Sequence, residues 1–395
     1  MTSTSPSDVI YLDHNATTPV APEVLDAMLP YLTQQYGNPS SDHPLGHRAH
    51  EAVEAAREEV ASLIGAAPVE IIFTSGGTES NNLAIRGSTA AADGERHRIV
   101  TSQVEHPATA RPCDLLEAKG WTVTRLPVTG SGTLDPDTVI QALDTDVALM
   151  TVMLAQNETG AIMPVSALAT AARMFGVVTH TDAAQATGKM HVNVDTLGVD
   201  LLSIAGHKCY APKGIGALYV RSGTSLQPVL LGADQERGLR PGTENVAFIV
   251  GLGAACHLAQ VRLDREGQRM MNLRDELWQK LLENIPGLVR HTPKNGSLPN
   301  TLMVSFPGVL GRDVLANAGR LAASTGSACH SGLHIPSATL LAMGVSPDTA
   351  LGAVRLSLGH DTTAIDIAAA ADILVGAYAN LVPTPLGSAP QERTR

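Results

Sequence analysis

The sequence predicts an α/β protein with a mainly parallel sheet and a second, smaller α+β domain. Short apolar runs typical of strands alternate with Ala-rich segments of helical period, a pattern typical of parallel sheets flanked by helices. The 395 residues are enough for a large domain and an appended smaller one. With 44% hydrophobic and only 16% charged residues, the composition excludes a disordered chain.

The predicted strands of the large sheet come first along the chain, each as a short apolar run. In order they cover residues 70–74, 98–102, 147–153, 177–181, 201–204 and 215–220. The pattern then changes to that of a smaller α+β unit. Its predicted elements are a charged helix over 263–283, a strand over 301–306 and a closing helix over 364–381.

This change of pattern predicts the domain organisation. We expect a large domain over residues 16–260 and a small domain formed by residues 1–15 and 261–382. Residues 383–395 are rich in Pro, Gly and Ser, so we expect a flexible tail there.

The net charge and the lack of targeting signals indicate which binding partners and which compartment are expected. The net charge of −11 disfavours binding to nucleic acid or to an anionic membrane. The N-terminus lacks the basic flank and apolar stretch of a signal peptide, and no run of about 18 uncharged apolar residues appears. We therefore expect a cytoplasmic protein that acts on small molecules.

Four cysteines lie far apart, and no two of them form a C-x-x-C pair. This spacing supports neither a disulfide framework nor a zinc site, so we expect no metal. The P-loop, dinucleotide-binding and nucleophile-elbow motifs are also missing from the sequence. Any cysteine chemistry would be that of a single thiol.

An acid and a lysine each end a predicted strand of the large sheet. Asp182 closes the strand near 177–181, and Lys208 follows the strand near 201–204. Ligands of α/β proteins bind at the carboxyl edge of the sheet. A carboxylate that keeps a pyridine nitrogen protonated and a lysine that forms a Schiff base are what pyridoxal phosphate requires.

Two further strand ends carry groups suited to such a cofactor. Gly77 and Thr78 lie in a Gly-rich turn that opens a helix, and such a turn can bind a phosphate through backbone N–H groups. An ordinary helix cap is the alternative interpretation. His106 follows another strand and could stack on a flat ring, although a lone histidine is more often structural.

The last two candidates lie in the C-terminal third. Cys329 belongs to a segment of small polar residues and glycines, as expected for a thiolate on a mobile loop that reaches a substrate. Arg355 stands in an apolar strand pattern, where a guanidinium needs a carboxylate from the protein or from a substrate.

Motifs along nearly the whole chain carry a family resemblance. They include residues 11–19 (YLDHNATTP), 36–41 (YGNPSS) and 235–245 (QERGLRPGTEN), besides the segments above. The chain resembles the cysteine desulfurases and the related selenocysteine lyases, which are class-V aminotransferases of pyridoxal-phosphate fold type I. The resemblance implies that pyridoxal phosphate is the cofactor. It also implies that L-cysteine is converted to L-alanine while its sulfur passes to an enzyme cysteine, as a persulfide, and then to an acceptor protein.

The resemblance also implies a role for each matching residue. Lys208 would bind the cofactor covalently, Asp182 would pair with its pyridine nitrogen, and Cys329 would be the nucleophile. Thr243 would bind the phosphate of the partner subunit, which implies a homodimer. The remaining implied contacts are His106 on the ring face, with a catalytic role, Gln185 on the ring oxygen, Gly77, Thr78 and His207 on the phosphate, Asn157 on cofactor and substrate, and Arg355 on the substrate carboxylate.

Departures from the family pattern leave the substrate open. Residues 241–245 resemble the selenocysteine lyases, whereas residues 327–329 resemble the desulfurases, so both L-cysteine and L-selenocysteine are candidates. Ala205 stands where many desulfurases carry a phosphate-binding serine. A pyruvate-forming C–S lyase or an aminotransferase on the same scaffold is an alternative, as is a non-catalytic sulfur-trafficking protein.

Overall fold

A computed structural model describes residues 9–325 and 335–382 of the chain. Apolar runs form the strands, and most pair in a large or a small sheet. In chain order the strands are β1 Ile10–Tyr11, β2 Ile71–Thr74, β3 Arg98–Ser102, β4 Thr122–Leu126, β5 Val147–Thr151, β6 Val178–Asp182, β7 Leu201–Ala205, β8 Gly216–Val220, β9 Val289–Arg290, β10 Thr301–Ser305, β11 Leu321–Ala322 and β12 Ala353–Ser357.

Helices fill the segments between the strands, and several of them carry proline in the first turn, where its missing N–H costs nothing. In chain order the helices are α1 Pro22–Thr33, α2 Pro44–Ile64, α3 Gly77–Ala91, α4 Pro107–Glu117, α5 Pro136–Ala142, α6 Val165–Met174, α7 Val194–Leu197, α8 Val246–Asn284, α9 Gly311–Asn317, α10 Ala338–Ala342, α11 Pro347–Leu351 and α12 Ala364–Ala379.

The central sheet has seven strands in the order β2-β8-β7-β6-β5-β3-β4. Neighbouring strands from β7 to β4 are parallel, and only β8 runs antiparallel to both of its neighbours. The prediction of an α/β fold with a mainly parallel sheet is therefore confirmed. Because β2, β3, β5, β6 and β7 all run in one direction, their carboxyl ends meet at a single edge.

A smaller sheet of order β12-β10-β9 lies in the C-terminal part of the chain, and β1 pairs with β11. The N-terminal segment also joins this region, because Asp13 forms a bridge with Ser357 of β12. A separate apolar core lies here, formed by the C-terminal half of α8, by α12 and by the strands between them. The segment around Asp13 consequently lies where the two sheets approach each other.

Helix α8 is longer than the charged helix predicted over 263–283. It begins at Val246, capped by the side chain of Asn245, and its apolar first half contacts α1 and α2. By length and composition it is the one helix of the described residues that could cross a membrane, but 56% of its apolar stretch is buried inside the protein. The proposed boundary at residue 260 falls inside this helix, and the domain division stays a prediction.

Candidate active site

A cleft of about 670 Å³ opens at the carboxyl edge of the central sheet. This volume is in the range of small-molecule and cofactor sites. Nine of the residues predicted from the sequence line it, namely Gly77, Thr78, His106, Asn157, Asp182, Gln185, His207, Lys208 and Arg355. The fold thus brings together side chains that are as much as 278 positions apart in the sequence, counting from Gly77 to Arg355.

Lys208 lies in the short 3-10 turn Gly206–Lys208 that follows β7. Its Nζ donates to the backbone carbonyls of Asn15 and Ala16, the latter at 2.7 Å. Burial, with a smaller contribution from the positive charge of Arg355, lowers the pKa of Lys208 to about 8. A lysine with such a pKa is partly neutral near neutral pH, so it can attack an aldehyde or accept a proton.

Asp182 is the last residue of β6 and is 7% exposed. Its Oδ2 accepts from Asn81 Nδ2 at 2.7 Å, and its Oδ1 accepts from the backbone N–H of Ala184 at 2.9 Å. These two donors fix the carboxylate at the wall of the cleft. A cationic ring nitrogen that entered the cleft would find a positioned anion there.

The turn from β2 into α3 forms the anion-binding end of the cleft. Gly76 has a φ of 146°, a conformation that favours glycine, and the N-terminal N–H groups of α3 follow it. A Cβ at Gly77 would lie 3.1 Å from the Cβ of Ala205, so the turn lies tightly against the end of β7. The hydroxyl of Thr78 also borders the cleft.

His207 adds a neutral donor near this turn. Burial, together with the charges of Lys208 and Lys213, lowers the pKa of His207 to about 4. Its Nδ1 lies 3.1 Å from the hydroxyl of Thr17. The imidazole is therefore uncharged at neutral pH, and Lys208 and Lys213 provide the positive charge that an anion would meet.

His106 caps α4 at another strand end on the same edge. Its Nδ1 accepts from the backbone N–H of Ala108 at 3.1 Å, so the neutral ring carries its proton on Nε2. Although the ring reaches the open cleft, the protein around it lowers the pKa of His106 by desolvation, and Lys208 lowers it further. A neutral imidazole can contact a flat ring and exchange a proton.

Arg355 of β12 enters the cleft from the small sheet and is 5% exposed. Its Nη2 donates to Asp13 Oδ1 at 2.7 Å, and its Nη1 donates to the carbonyl of Asn157 at 3.0 Å. Asp13 is thus the carboxylate partner that the sequence analysis predicts for Arg355. These two bonds use two of the five N–H groups of the guanidinium, so others are left to donate to an anionic ligand.

Two residues of the site were missed by the sequence analysis, Asn15 and Lys189. Asn15 was part of the quoted motif at residues 11–19 but received no role. Lys189 ends no predicted strand, so the signal that identifies Lys208 does not identify it. It does follow Gln185 by four positions, and this spacing brings side chains together within a helical turn. Both are buried, and Lys189 Nζ bonds Asn15 Oδ1 and Gln185 Oε1.

Of the predicted site residues, Thr243 is described but does not line this cleft, and Cys329 cannot be placed. Thr243 is exposed on the segment before α8 and is not among the cleft-lining residues. Cys329 lies outside the described residues. The described cysteines Cys113, Cys209 and Cys256 are all buried, and burial raises the pKa of Cys113 to about 12.

The donor set fits pyridoxal phosphate. The glycine turn and Thr78 suit a phosphate, Asp182 suits a protonated pyridine nitrogen, and Lys208 has the lowered pKa that bonding to an aldehyde requires. These groups border one continuous cleft. A residue without a side chain at Gly77 lets this turn pack closely against Ala205.

Comparisons with known proteins give one consistent result. Residues 10–369 match the family model described as "Aminotransferase class-V". The chain is 45% identical over 367 residues to "Cysteine desulfurase IscS" of Dictyoglomus turgidum, covering 92% of this chain and 93% of that protein.

Solved structures agree with the sequence matches. A "NifS-like protein" superposes with a TM-score of 0.89 at 34% identity, covering 94% of this chain and all of that chain. A second structure, "SspA in complex with cysteine", superposes with a TM-score of 0.78 at 35% identity, covering 88% of this chain and 98% of that one.

Proposed function

The chain belongs to the class-V aminotransferases and is one of the pyridoxal-phosphate-dependent cysteine desulfurases, and from this premise we propose how its residues perform the reaction. The net reaction moves one sulfur atom from L-cysteine to an enzyme thiol, giving L-alanine and a persulfide. The observation that carries the assignment of residues is the convergence of Lys208, Asp182 and Arg355 on one cleft. When bound, the cofactor supplies an electron sink next to the substrate Cα.

The cofactor is held, in this proposal, by the residues that line the cleft. Lys208 binds its aldehyde carbon, Asp182 pairs with the ring nitrogen, and Gln185 donates to the ring oxygen. The turn at Gly77 and Thr78 binds the phosphate, with His207 beside it. The side chains are already oriented by hydrogen bonds, such as those from Asn81 and Ala184 to Asp182, so little ordering is required on binding.

Substrate orientation is assigned to Arg355. A free N–H of the guanidinium, which is fixed by Asp13 and by the carbonyl of Asn157, donates to the α-carboxylate of L-cysteine. A fixed guanidinium costs less conformational entropy than a mobile one when the substrate binds. The substrate is then held in the cleft that Lys208 and His106 also line.

Removal of the α-proton is assigned to Lys208. Its free amine would act as the base on the substrate Cα–H, a role that suits a pKa of about 8. His106 would present its Nε2–H to the cleft and donate a hydrogen bond to the reacting groups.

Sulfur transfer is assigned to Cys329. Its thiolate attacks the substrate sulfur, the S–S bond forms as the C–S bond breaks, and the electron pair of the C–S bond remains on the carbon skeleton that becomes alanine. The described cysteines are buried, so they are poor alternatives for this step. The persulfide is then passed to an acceptor protein.

Product identification tests this function. The purified, cofactor-loaded enzyme is incubated with L-cysteine and a thiol reductant, and amino and keto acids are identified by mass spectrometry. Alanine and sulfide in equal amounts are expected. Pyruvate and ammonia would contradict the proposal, because they result from β-elimination without a cysteine nucleophile. A parallel incubation with L-selenocysteine tests the second substrate, and alanine from selenocysteine alone would identify a selenocysteine lyase.

A homodimer is part of the proposal. Thr243 is exposed, as a residue that completes a partner's phosphate site must be, and Leu25, Leu29 and Leu32 form an exposed apolar stripe on α1. Light scattering gives the mass in solution. Mixing a Thr243→Ala chain with a Lys208→Ala chain is expected to restore one complete site in the mixed dimer, and a monomeric mass would contradict the assignment.

A further inference from the structure

Lys189 is a buried lysine that the mechanism above does not use. It is 7% exposed, and its Nζ donates to Gln185 Oε1 at 2.8 Å and to Asn15 Oδ1 at 3.0 Å. Both recorded acceptors are amide oxygens rather than carboxylates. Burial, followed by the positive charges of Lys208 and Arg355, lowers the pKa of Lys189 well below its usual value. Burying the Lys189 amine costs free energy, and its two hydrogen bonds compensate for part of this cost.

Lys189 donates to the oxygens of two amide groups. It shares Asn15 Oδ1 with Asn300 Nδ2, which donates at 3.1 Å, but among the described residues it is the one donor to Gln185 Oε1. The atoms that Lys189 contacts on Gln185 and Asn15 are both oxygens, to which a lysine can donate whether it is charged or neutral. The nitrogen of each amide therefore points the other way. Asn15 Nδ2 donates to Thr301 Oγ1 at 2.8 Å, and Gln185 Nε2 donates to the backbone carbonyl of Asn15 at 3.0 Å.

The orientations of the two amides affect Lys208 through one group, the backbone carbonyl of Asn15. The backbone oxygen of Asn15 accepts from both Gln185 Nε2 and Lys208 Nζ. Asn15 is itself fixed between the sheets, since its N–H donates to Ser357 Oγ at 2.9 Å. Asn15, Gln185 and Lys208 all border the cleft.

We propose that Lys189 is a positioning residue that turns the N–H edge of Gln185 toward the cleft and fixes the Asn15 carbonyl that receives Lys208. Gln185 has two amide hydrogens, and among the described residues only Asn15 receives one. The second is directed to an oxygen acceptor on the bound ligand. This inference rests on the assignment of pyridoxal phosphate to the cleft, whose ring oxygen is such an acceptor.

The other possible orientation of the Gln185 amide shows why a buried hydrogen-bond donor is needed beside it. If the Gln185 amide rotated by half a turn, its oxygen would face the Asn15 carbonyl and the ligand oxygen, so acceptors would face acceptors. The shapes of the two orientations are nearly the same, and packing alone distinguishes them poorly. A donor buried behind Gln185 does distinguish them, because a buried acceptor without a donor is costly.

The first test compares Lys189→Met with the wild-type protein and with Lys119→Met, a matched change at an exposed lysine after α4. The readouts are the dissociation constant of pyridoxal phosphate from the apo-protein, the pH dependence of the bound cofactor's absorbance, and thermal unfolding of the apo-protein. Lys189→Met is expected to weaken cofactor binding about tenfold and to shift the absorbance titration, while the apo-protein stays folded. Binding and titration equal to those of Lys119→Met would overturn the proposal.

A second pair of variants keeps the test decisive if Lys189→Met folds poorly. Gln185→Glu retains an oxygen for Lys189 but places another oxygen at the cleft, so it is expected to weaken cofactor binding at least as much as Gln185→Ala. Wild-type affinity in Gln185→Glu would overturn the assigned orientation.

The double variant Lys189→Met/Gln185→Ala measures whether the two residues act as a unit. It is expected to lose much less affinity than the product of the two single losses, because only the bond of Lys189 to Asn15 acts without Gln185. Losses that multiply would show that Lys189 acts independently of Gln185 and would overturn the proposal. Failure of the wild-type chain to bind pyridoxal phosphate would contradict the proposed function itself, so the two failures are distinguishable.

Discussion

At the scale of single residues, the site depends on charged side chains that the fold desolvates. Burial is the chief cause of the lowered pKa of both Lys208 and His207, but the chemical consequence differs between them. The lysine becomes a nucleophile near neutral pH, and the histidine stays uncharged beside an anion site. Neither property can be predicted from residue type, because each depends on what the folded chain packs around the group.

The pH dependence of covalent cofactor capture tests the state of Lys208. Only the neutral amine reacts with an aldehyde, so the capture rate should rise as the pH increases toward about 8 and then level off. An ordinary lysine would continue to gain about tenfold per pH unit up to a pKa of about 10.4. The rate is measured from cofactor absorbance after mixing with apo-protein. A continued rise above pH 9 would contradict the lowered pKa.

Replacing Arg355 by lysine tests substrate orientation. Lysine retains the charge but cannot bond Asp13, Asn157 and a ligand with one planar group. We expect the KM for L-cysteine to rise about tenfold or more, which corresponds to a lost charge-assisted hydrogen bond. Cofactor absorbance should be unchanged. The control is Arg111→Lys at an exposed arginine, and a KM equal to that of the control would rule out this role.

At the scale of elements, six of the seven strands of the central sheet could be predicted from the sequence, but β4 and the extent of α8 could not. The first half of α8 contains Gly251 and Gly253, which argue against a helix when only propensity is considered. The structure explains them by close packing, since a Cβ at Gly253 would lie 2.7 Å from Ala56 Cβ. Glycine is required there so that α8 can approach α2.

Site residues could likewise be predicted where the local sequence pattern indicates their position, and could not where their role depends on distant residues. Asp182 and Lys208 could be predicted because each ends an apolar strand, and parallel strands end at a common edge. The role of Asn15 could not, because its partners Thr301 and Ser357 are 286 and 342 positions away. Contacts over such separations have no local sequence pattern.

The turn between β2 and α3 offers a test at the element scale. In Gly77→Ala the new Cβ would lie 3.1 Å from Ala205 Cβ, so the turn must shift away from β7. We expect cofactor affinity to fall several-fold while the apo-protein unfolds at nearly the same temperature, because alanine favours the helix. Gly94→Ala is the control, since its Cβ would meet no atom within 4 Å. Equal affinities in both variants would contradict the anion-site assignment.

At the scale of the whole molecule, the active site lies where two sheets meet. Arg355 comes from the small sheet, Asp182 and Lys208 come from the large one, and the segment at Asp13 and Asn15 is bonded to both. In the proposed function, substrate orientation and cofactor binding are therefore supplied by different parts of the fold, so we expect activity to require that the two parts dock.

Stability of the apo-protein should fall in mild acid. Burial lowers the pKa of four histidines to about 4, below their usual 6.5. Between these values the unfolded chain binds protons that the native chain does not, so the free energy of unfolding decreases as the pH falls from about 6.5 to 4. Glu105 and Glu158, whose pKa values are raised by burial, act in the opposite direction but are fewer. The four histidines are His14, His180, His207 and His291.

Denaturant unfolding at a series of pH values measures this loss. His180 is fully enclosed between Thr151 and Ser203, so His180→Gln should make the pH dependence less steep between pH 6.5 and 4. A mutation of exposed His47 serves as the control. An unchanged slope in His180→Gln would show that this histidine is not neutral in the native state.

The most direct test of the central claim is to locate the transferred sulfur. The enzyme is given L-cysteine without reductant for a single turnover, the thiols are blocked, and the peptides are mapped by tandem mass spectrometry. We predict one added sulfur atom on Cys329, in an amount equal to the alanine formed, and none on buried Cys113, Cys209 or Cys256. Alanine formed without sulfur on Cys329, or at an undiminished rate in a Cys329→Ala variant, would contradict the account.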